Sequence, residues 1–253
     1  VQRPLPGITG KVIDAHTRRG LPCRLYVQNA ESGEYLFARS QSDSNPAVAY
    51  NKQLGRSPSI ERHTALPSGS FSIAAGPGKY RITAMYGKDY IPVTEYVQIE
   101  DSPQQIELQL QRFVDMPSKG WFSGDTHVHR EIDELPTVML AEDLNVALPL
   151  VYWVRDSGEK PSTSEINSGL SAAPIYIDAE HVFYPINTEY EIFTIDHKSH
   201  TQGAVFVLNH NKALDLRAPP VAAIAEEARR QGALLDLDKH SWNWSPMIVP
   251  LMN

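Results

Sequence analysis

Asp125, His127 and His129 stand at alternate positions in Trp121-Phe122-Ser123-Gly124-Asp125-Thr126-His127-Val128-His129-Arg130. Successive side chains of an extended strand point to opposite faces. The three are therefore expected to point one way, with Thr126 and Val128 the other. Two imidazoles one strand repeat apart can grip one cation with a carboxylate beside them, and neutral imidazole is the commonest metal ligand. A bare His-x-His also arises by chance and is then only solvated; the flanking Gly124-Asp125 favours the metal reading.

Two further polar clusters follow apolar runs. Gly203-Ala204-Val205-Phe206-Val207-Leu208 reads as a strand buried on both faces, and Asn209-His210 closes it. A helix is expected from about Val221 to Gln231, with Gly232 as its stop. The run Ala233 to His240 then sets Asp236, Asp238 and His240 on one strand face. We expect this helix and strand to form a parallel crossover. Chemistry gathers at the C-terminal ends of strands in α/β barrels, and all three clusters sit at such ends. A satisfied core histidine is the bland alternative for each. Seven of the nine histidines lie beyond Gly120: His127, His129, His181, His197, His200, His210 and His240.

Gly-Asp-x-His-x-His at the end of a first strand resembles the opening motif of the PHP metallohydrolases, the polymerase and histidinol phosphatase superfamily. The nearest resemblance is to the branch that contains carbaryl hydrolase. It runs from about Gly120 to the last residue and weakens between Val151 and Ile186. The resemblance implies a distorted α/β barrel of seven strands, two or three divalent metals, and hydrolysis of a phosphate or other ester. His240 matches the family pattern Gly-Ala-Leu-(apolar)-x-(apolar)-x-x-His as a metal ligand. A Glu between Asn187 and Ile192 would bridge two metals in such proteins; Glu189 is preferred, with Glu191 on the same face as its alternative. A carboxylate has two oxygens, so it can span two cations. His200 stands near the place of a family Gly-His pair, where this chain has Gly203-Ala204.

The chain departs from that pattern twice. The Thr-Asp-His triplet expected after the first helix is absent, and Tyr152-Trp153 lie near its place. That removes one metal position and offers an aromatic wall for substrate. No closing Asp-x-His follows, and only about half of the roughly 250 residues of a full barrel come after Gly120. The barrel is therefore expected to be C-terminally incomplete, its remainder missing or supplied by a second polypeptide.

The elements ahead of the motif read differently. Ile8 to Ala15, Leu21 to Val27, Ser68 to Ile73, Lys79 to Tyr86, Val93 to Ile99 and Gln105 to Leu110 alternate apolar and polar residues. Tyr80, Ile82, Ala84 and Tyr86 share one face, and Gly76-Pro77-Gly78 marks a turn. Short strands without a helical period predict a β-sandwich. The order Gly-x-Val, Phe-x-Ile, Pro-Gly-x-Tyr-x-Ile-x-Ala also resembles the regulatory-like, prealbumin-like domain that follows carboxypeptidases. The polar segment Ser40 to Leu66, which contains His63, is expected to be a long loop. The organisation expected is thus a β-sandwich over 1–111, a linker over 112–119, and a partial α/β domain over 120–253. Pro136 is expected to open the first helix of the second domain, and Val146 to Val154 to follow as a strand.

Composition bounds the function classes. A chain of 253 residues buries a sizeable core in one or two domains. A net charge of -7 disfavours nucleic acid or an anionic membrane as general partners, but not a small anionic substrate held by metal. No apolar run approaches the roughly 20 residues of a membrane span. Cys23 is the only cysteine, so no internal disulfide forms. The chain opens at Val1-Gln2-Arg3-Pro4, which fits an exported protein whose leader has been removed.

Two functions follow. The first is a metal-dependent hydrolase of a small phosphate or other ester, with one or two Zn, Mn or Fe ions. His127, His129, Glu189 and His240 are its metal ligands, with Asp125 beside them. His210 or His200 is a further ligand or moves the proton to the leaving group, and Tyr152 and Trp153 contact substrate. The second is a decayed, non-catalytic extracellular module that binds a carbohydrate or protein. A Ser-His-Asp hydrolase is disfavoured, since no Gly-x-Ser-x-Gly elbow occurs.

Overall fold

Period-two alternation between Gly7 and Arg112 produces strands. The computed structural model describes residues 7–41, 46–53, 60–165, 167–199, 203–238 and 249–252. In the first part of the chain β1 is Gly7–Asp14, β2 Cys23–Asn29, β3 Tyr35–Leu36, β4 Arg39–Ser40, β5 Val48–Gln53 and β6 Ile60–Leu66. There follow β7 (Ser70–Ala74), β8 (Gly78–Met85), β9 (Tyr90–Ile91), β10 (Val93–Ile99) and β11 (Gln104–Arg112). They form two sheets of order β4-β7-β1-β11-β9 and β10-β8-β2-β6-β5, with β3 on β2. Ile8, Val12, Phe71, Leu108 and Leu110 from one sheet meet Leu25, Val27, Leu66, Ile82 and Ile99 from the other in a single core. That makes a β-sandwich. Part of the segment expected to be a loop is the β5–β6 hairpin, and His63 lies in it, buried. Close approach explains Gly10: a Cβ there would lie 2.4 Å from Cζ of Phe71.

The second part contains β12 (Gly124–Val128), α1 (Leu135–Glu142), β13 (Val146–Pro149), β14 (Tyr152–Asp156), β15 (Ile175–Tyr176) and β16 (Val182–Phe183). It continues with β17 (Thr188–Ile195), β18 (Lys198–Ser199), β19 (Ala204–Leu208), α2 (Val221–Gln231) and β20 (Leu234–Asp238). Its sheets run β12-β13-β16-β15 and β14-β17-β19-β20, with β18 on β17.

The chain divides into two units, Val1–Ser123 with Asp133–Asn145, and Gly124–Ile132 with Val146–Asn253. The first helix therefore belongs to the sandwich unit. Ala141 and Val138 pack on Val48 and Ala65, Thr137 donates to the Pro46 carbonyl at 2.8 Å, and Arg24 pairs with Glu142 at 3.2 Å. Leu135, Met139 and Ala141 are buried there.

The expected α/β barrel, complete or partial, is corrected by this topology. Among the described residues there are two α-helices, and one of them serves the sandwich. Strand β17 is antiparallel to β19, and β19 to β20, with Leu208 opposite Leu234. The strand–helix–strand unit 204–238 is therefore not a parallel crossover. The long segment 209–220 carries the chain back before α2 begins, so β20 starts beside the end of β19. Among the described residues of this second part, parallel pairing survives only between β12, β13 and β16 and between β14 and β17. Periodicity identifies a strand but not the direction in which it will pair.

Candidate metal centre

One cross-strand row builds the site. Trp153 on β14 stands opposite Glu189 on β17, Glu189 opposite Phe206 on β19, and Phe206 opposite Asp236 on β20. Residues directly opposite share a face, so these four side chains line up across the sheet. The alternate row faces the other way: Val154, Tyr190 and Val207 join Ile224 and Ala228 of α2 in a second core. Leu150 packs with Phe206 and Leu208 on the site's side of the sheet. Glu189 is thus fixed by burial on both sides of its strand and has no solvent exposure.

The histidines come from β12 and the residue just past it. His129 Nε2 lies 2.9 Å from Glu189 Oε2, and His127 Nε2 lies 4.0 Å from Glu189 Oε1. One ligand atom from each of the three residues lies within 4.8 Å of the others. The His127 ring stands edge-on to Phe206 at 4.9 Å, and the His129 ring tilts against Trp153 at 5.2 Å. Arg155 holds its guanidinium 5.3 Å from the centre of the Trp153 ring. Thr126 donates to Asp236 Oδ2 at 3.1 Å, which ties β12 to the far end of the row. The imidazoles are open to solvent, at 36% and 41% exposure, above a buried carboxylate.

Asp125 does not join them. The β12–β13 register shifts between Asp125 and Val128. Two residues of β12 then oppose one of β13, which breaks the simple alternation. The Asp125 carboxylate turns back on its own strand and accepts the His127 N–H at 2.9 Å.

His210 is likewise elsewhere. Its Nδ1 lies 2.8 Å from the Lys212 carbonyl, which makes that nitrogen the N–H donor, and Nε2 then accepts from the Thr188 hydroxyl at 2.8 Å. Thr188 is the neighbour of Glu189 and faces the opposite way. Burial pushes the His210 pKa down to about 4, so the ring is neutral with both nitrogens engaged. This is a satisfied core histidine, engaged outside the His127, His129 and Glu189 cluster. Tyr152 packs against it at 6.2 Å, leaving Trp153 as the aromatic beside the cluster. Glu191 is buried opposite Ala204, one repeat along from Glu189, outside the cluster. His181 is held by Asp178, its Nδ1 2.8 Å from Oδ1. His197 occupies a left-handed turn residue, φ 62°. His200 and His240 lie outside the described residues.

Sequence reading did not single out Phe206 or the Thr126–Asp236 hydrogen bond. Both depend on register between strands distant in the chain, and alternation within one strand carries no signal for that. Asp236 was visible as a polar position on β20, but its partner was not.

The fold and site define a two-unit β protein with a candidate His-His-Glu metal centre. No protein-family model matches the chain, and no curated protein matches it. Among solved structures it is similar to the pilus 2b backbone protein of group B streptococcus, at 17% identity and a TM-score of 0.32. That match covers 46% of this chain and 44% of the other, so it spans less than half of the pilus protein's length.

Proposed function

We propose that the protein is a metal-dependent hydrolase of a small phosphate or other ester, with His127, His129 and Glu189 holding a divalent ion. The observation that carries this reading is the convergence of two open imidazoles on one fully buried carboxylate. A buried carboxylate is costly unless a cation or strong hydrogen bonds compensate it. The donor set is all nitrogen and oxygen, which suits Zn, Mn or Fe. The donors also fit in size. Ligands on one tetrahedral ion with bonds near 2.0–2.1 Å sit about 3.3 Å apart, beside the 2.9 Å and 4.0 Å separations here. A bound ion would supply a water of lowered pKa and polarise the scissile oxygen.

The chain's own residues supply position. Phe206 and Trp153 brace the two imidazole rings and limit water on the sheet side. Trp153, 37% exposed, offers its remaining surface to a substrate, and Arg155 beside it favours an anionic one. The Gly124–His129 motif, with its likeness to PHP metallohydrolases, supports the same reading at the level of the motif.

Protein purified without chelator is expected to carry one to two equivalents of metal by elemental analysis. It should turn over p-nitrophenyl phosphate or acetate once supplied with Mn²⁺ or Zn²⁺. The His127→Ala/His129→Ala double variant should lose both properties. A wild-type chain without stoichiometric metal, and without turnover after either addition, would sink the proposal.

A further inference from the structure

The outer face of the sheet β10-β8-β2-β6-β5 is covered at one end by α1, and the rest of it carries a cavity of about 210 Å³. Tyr26, Gln28, Tyr35, Arg81, Thr83 and Met85 line it. Register places them together. Tyr26 stands opposite Thr83, Gln28 opposite Arg81 and also opposite Tyr35, and Met85 opposite Arg24. All six therefore project from one face of three adjacent strands.

The groups are held in a definite arrangement. The Tyr26 hydroxyl donates to Glu61 at 2.7 Å, and its ring packs against His63 at 5.2 Å, with Tyr50 stacked on the same histidine at 5.3 Å. The hydroxyl is thereby committed, and the ring is what Tyr26 presents to the cavity. Arg81 donates to Gln28 Oε1 at 2.8 Å. A guanidinium has five N–H donors, so this bond orients Arg81 and leaves donors for a ligand. Glu61, the acid of this face, stays a carboxylate: burial opposes ionisation, but hydrogen bonds from Tyr26 and His63 outweigh it and hold the carboxyl below its usual range. Arg81 and Lys79 project from the same face of β8 by register, whereas Lys52, on the edge strand β5, stands opposite Glu61. A cationic patch thus stands on a chain whose net charge is -7.

We infer that this cavity is a binding site for one acidic sugar ring, independent of the metal centre. Aromatic faces accept the apolar C–H face of a pyranose, and planar amide and guanidinium groups pair with its hydroxyls in the ring plane. An Arg fork takes a carboxylate bidentately. The volume falls below the roughly 300–1,000 Å³ of sites for drug-sized ligands, so it takes a single ring of a longer chain. A bare anion would have no use for two tyrosine rings, and a neutral sugar none for the cations.

Isothermal titration of the full chain with trigalacturonic acid tests this, with maltotriose as the neutral counterpart and inorganic phosphate as the bare anion. The acidic trisaccharide is expected to bind at least tenfold more tightly than either. Tyr35→Ala and Arg81→Ala, both at solvent-facing positions, should each weaken it at least tenfold with circular dichroism unchanged. Prior treatment with EDTA should leave the binding unaltered, which separates this site from the metal centre. Equal binding of maltotriose or phosphate overturns the inference. So does the absence of binding, or binding that survives both substitutions.

Discussion

Two buried polar residues in the second unit show how position decides chemistry. Glu189 has no exposure and His210 has 1%, yet only Glu189 meets groups that a metal could share. Glu189→Gln keeps the shape and removes the charge; we expect at least a tenfold loss of metal affinity, read by competition with a chelating dye. Trp153→Ala should raise KM more than it lowers kcat, because the ring contacts His129 and the open side of the site rather than the reacting atoms. His210 makes a stability prediction. Its pKa is about 4 in the folded chain and near 6.5 when unfolded. Between those values the unfolded chain binds the extra proton, so stability is full above about pH 6.5 and declines as pH falls toward 4. The contribution is about 3 kcal/mol at the acid end. Urea unfolding of His210→Gln at pH 7 and pH 5 should show a smaller pH dependence than the parent, beneath an overall loss of stability from the broken Thr188 and Lys212 bonds. Histidine count and placement were plain in the sequence. Which histidine joins the cluster and which is satisfied elsewhere was not, since that turns on partners contributed by other strands.

At the scale of elements, period and punctuation were readable and pairing was not. β8 has Tyr80, Ile82 and Ala84 inward, as alternation predicts, and α2 ends at Gly232 in the left-handed region, φ 71°. Gly232→Ala should cost about 1 kcal/mol at that cap, measured by denaturant midpoint. Gly69 is constrained more tightly, because a Cβ there would fall 2.2 Å from the Val12 carbonyl oxygen. Gly69→Ala must displace backbone that also carries the Val12 N–H to Gly69 O bond at 2.8 Å. We expect a loss of about 2–3 kcal/mol in the same assay. The shift in β12 register is the element that sequence could not foresee. It turns Asp125 away from the two histidines that alternation had grouped with it.

Across the whole molecule, the chain passes between its two units three times, at residues 123–124, 132–133 and 145–146. The helix α1 therefore stabilises a sandwich whose strands all precede it. Cys23 reports on that directly, being the only cysteine and fully buried in the sandwich core. Ala141→Asp places a charge against Val48 and Ala65 and should destabilise this unit by roughly 3 kcal/mol. Thiol labelling of Cys23 should then quicken by about a hundredfold. Ala228→Asp, which disrupts the α2 core of the other unit, should change that rate far less. Equal acceleration by both would mean that the units unfold together.

The sequence alone determined that most of the stretch 7–112 would be built of alternating strands, though not the β5–β6 hairpin, which reads as a loop; that helices would stand near 135–142 and 221–231; and that His127 and His129 would be paired. Each of these rests on local spacing, which a side chain expresses within a few residues of itself. Only the tertiary structure decided that β19 and β20 run antiparallel, that α1 serves the sandwich, and that Asp125 stands apart from the histidine pair, which Glu189, already singled out by the motif's resemblance, joins. Strand direction, helix partner and cross-strand register depend on contacts between residues tens of positions apart, and no periodicity within a single segment encodes them.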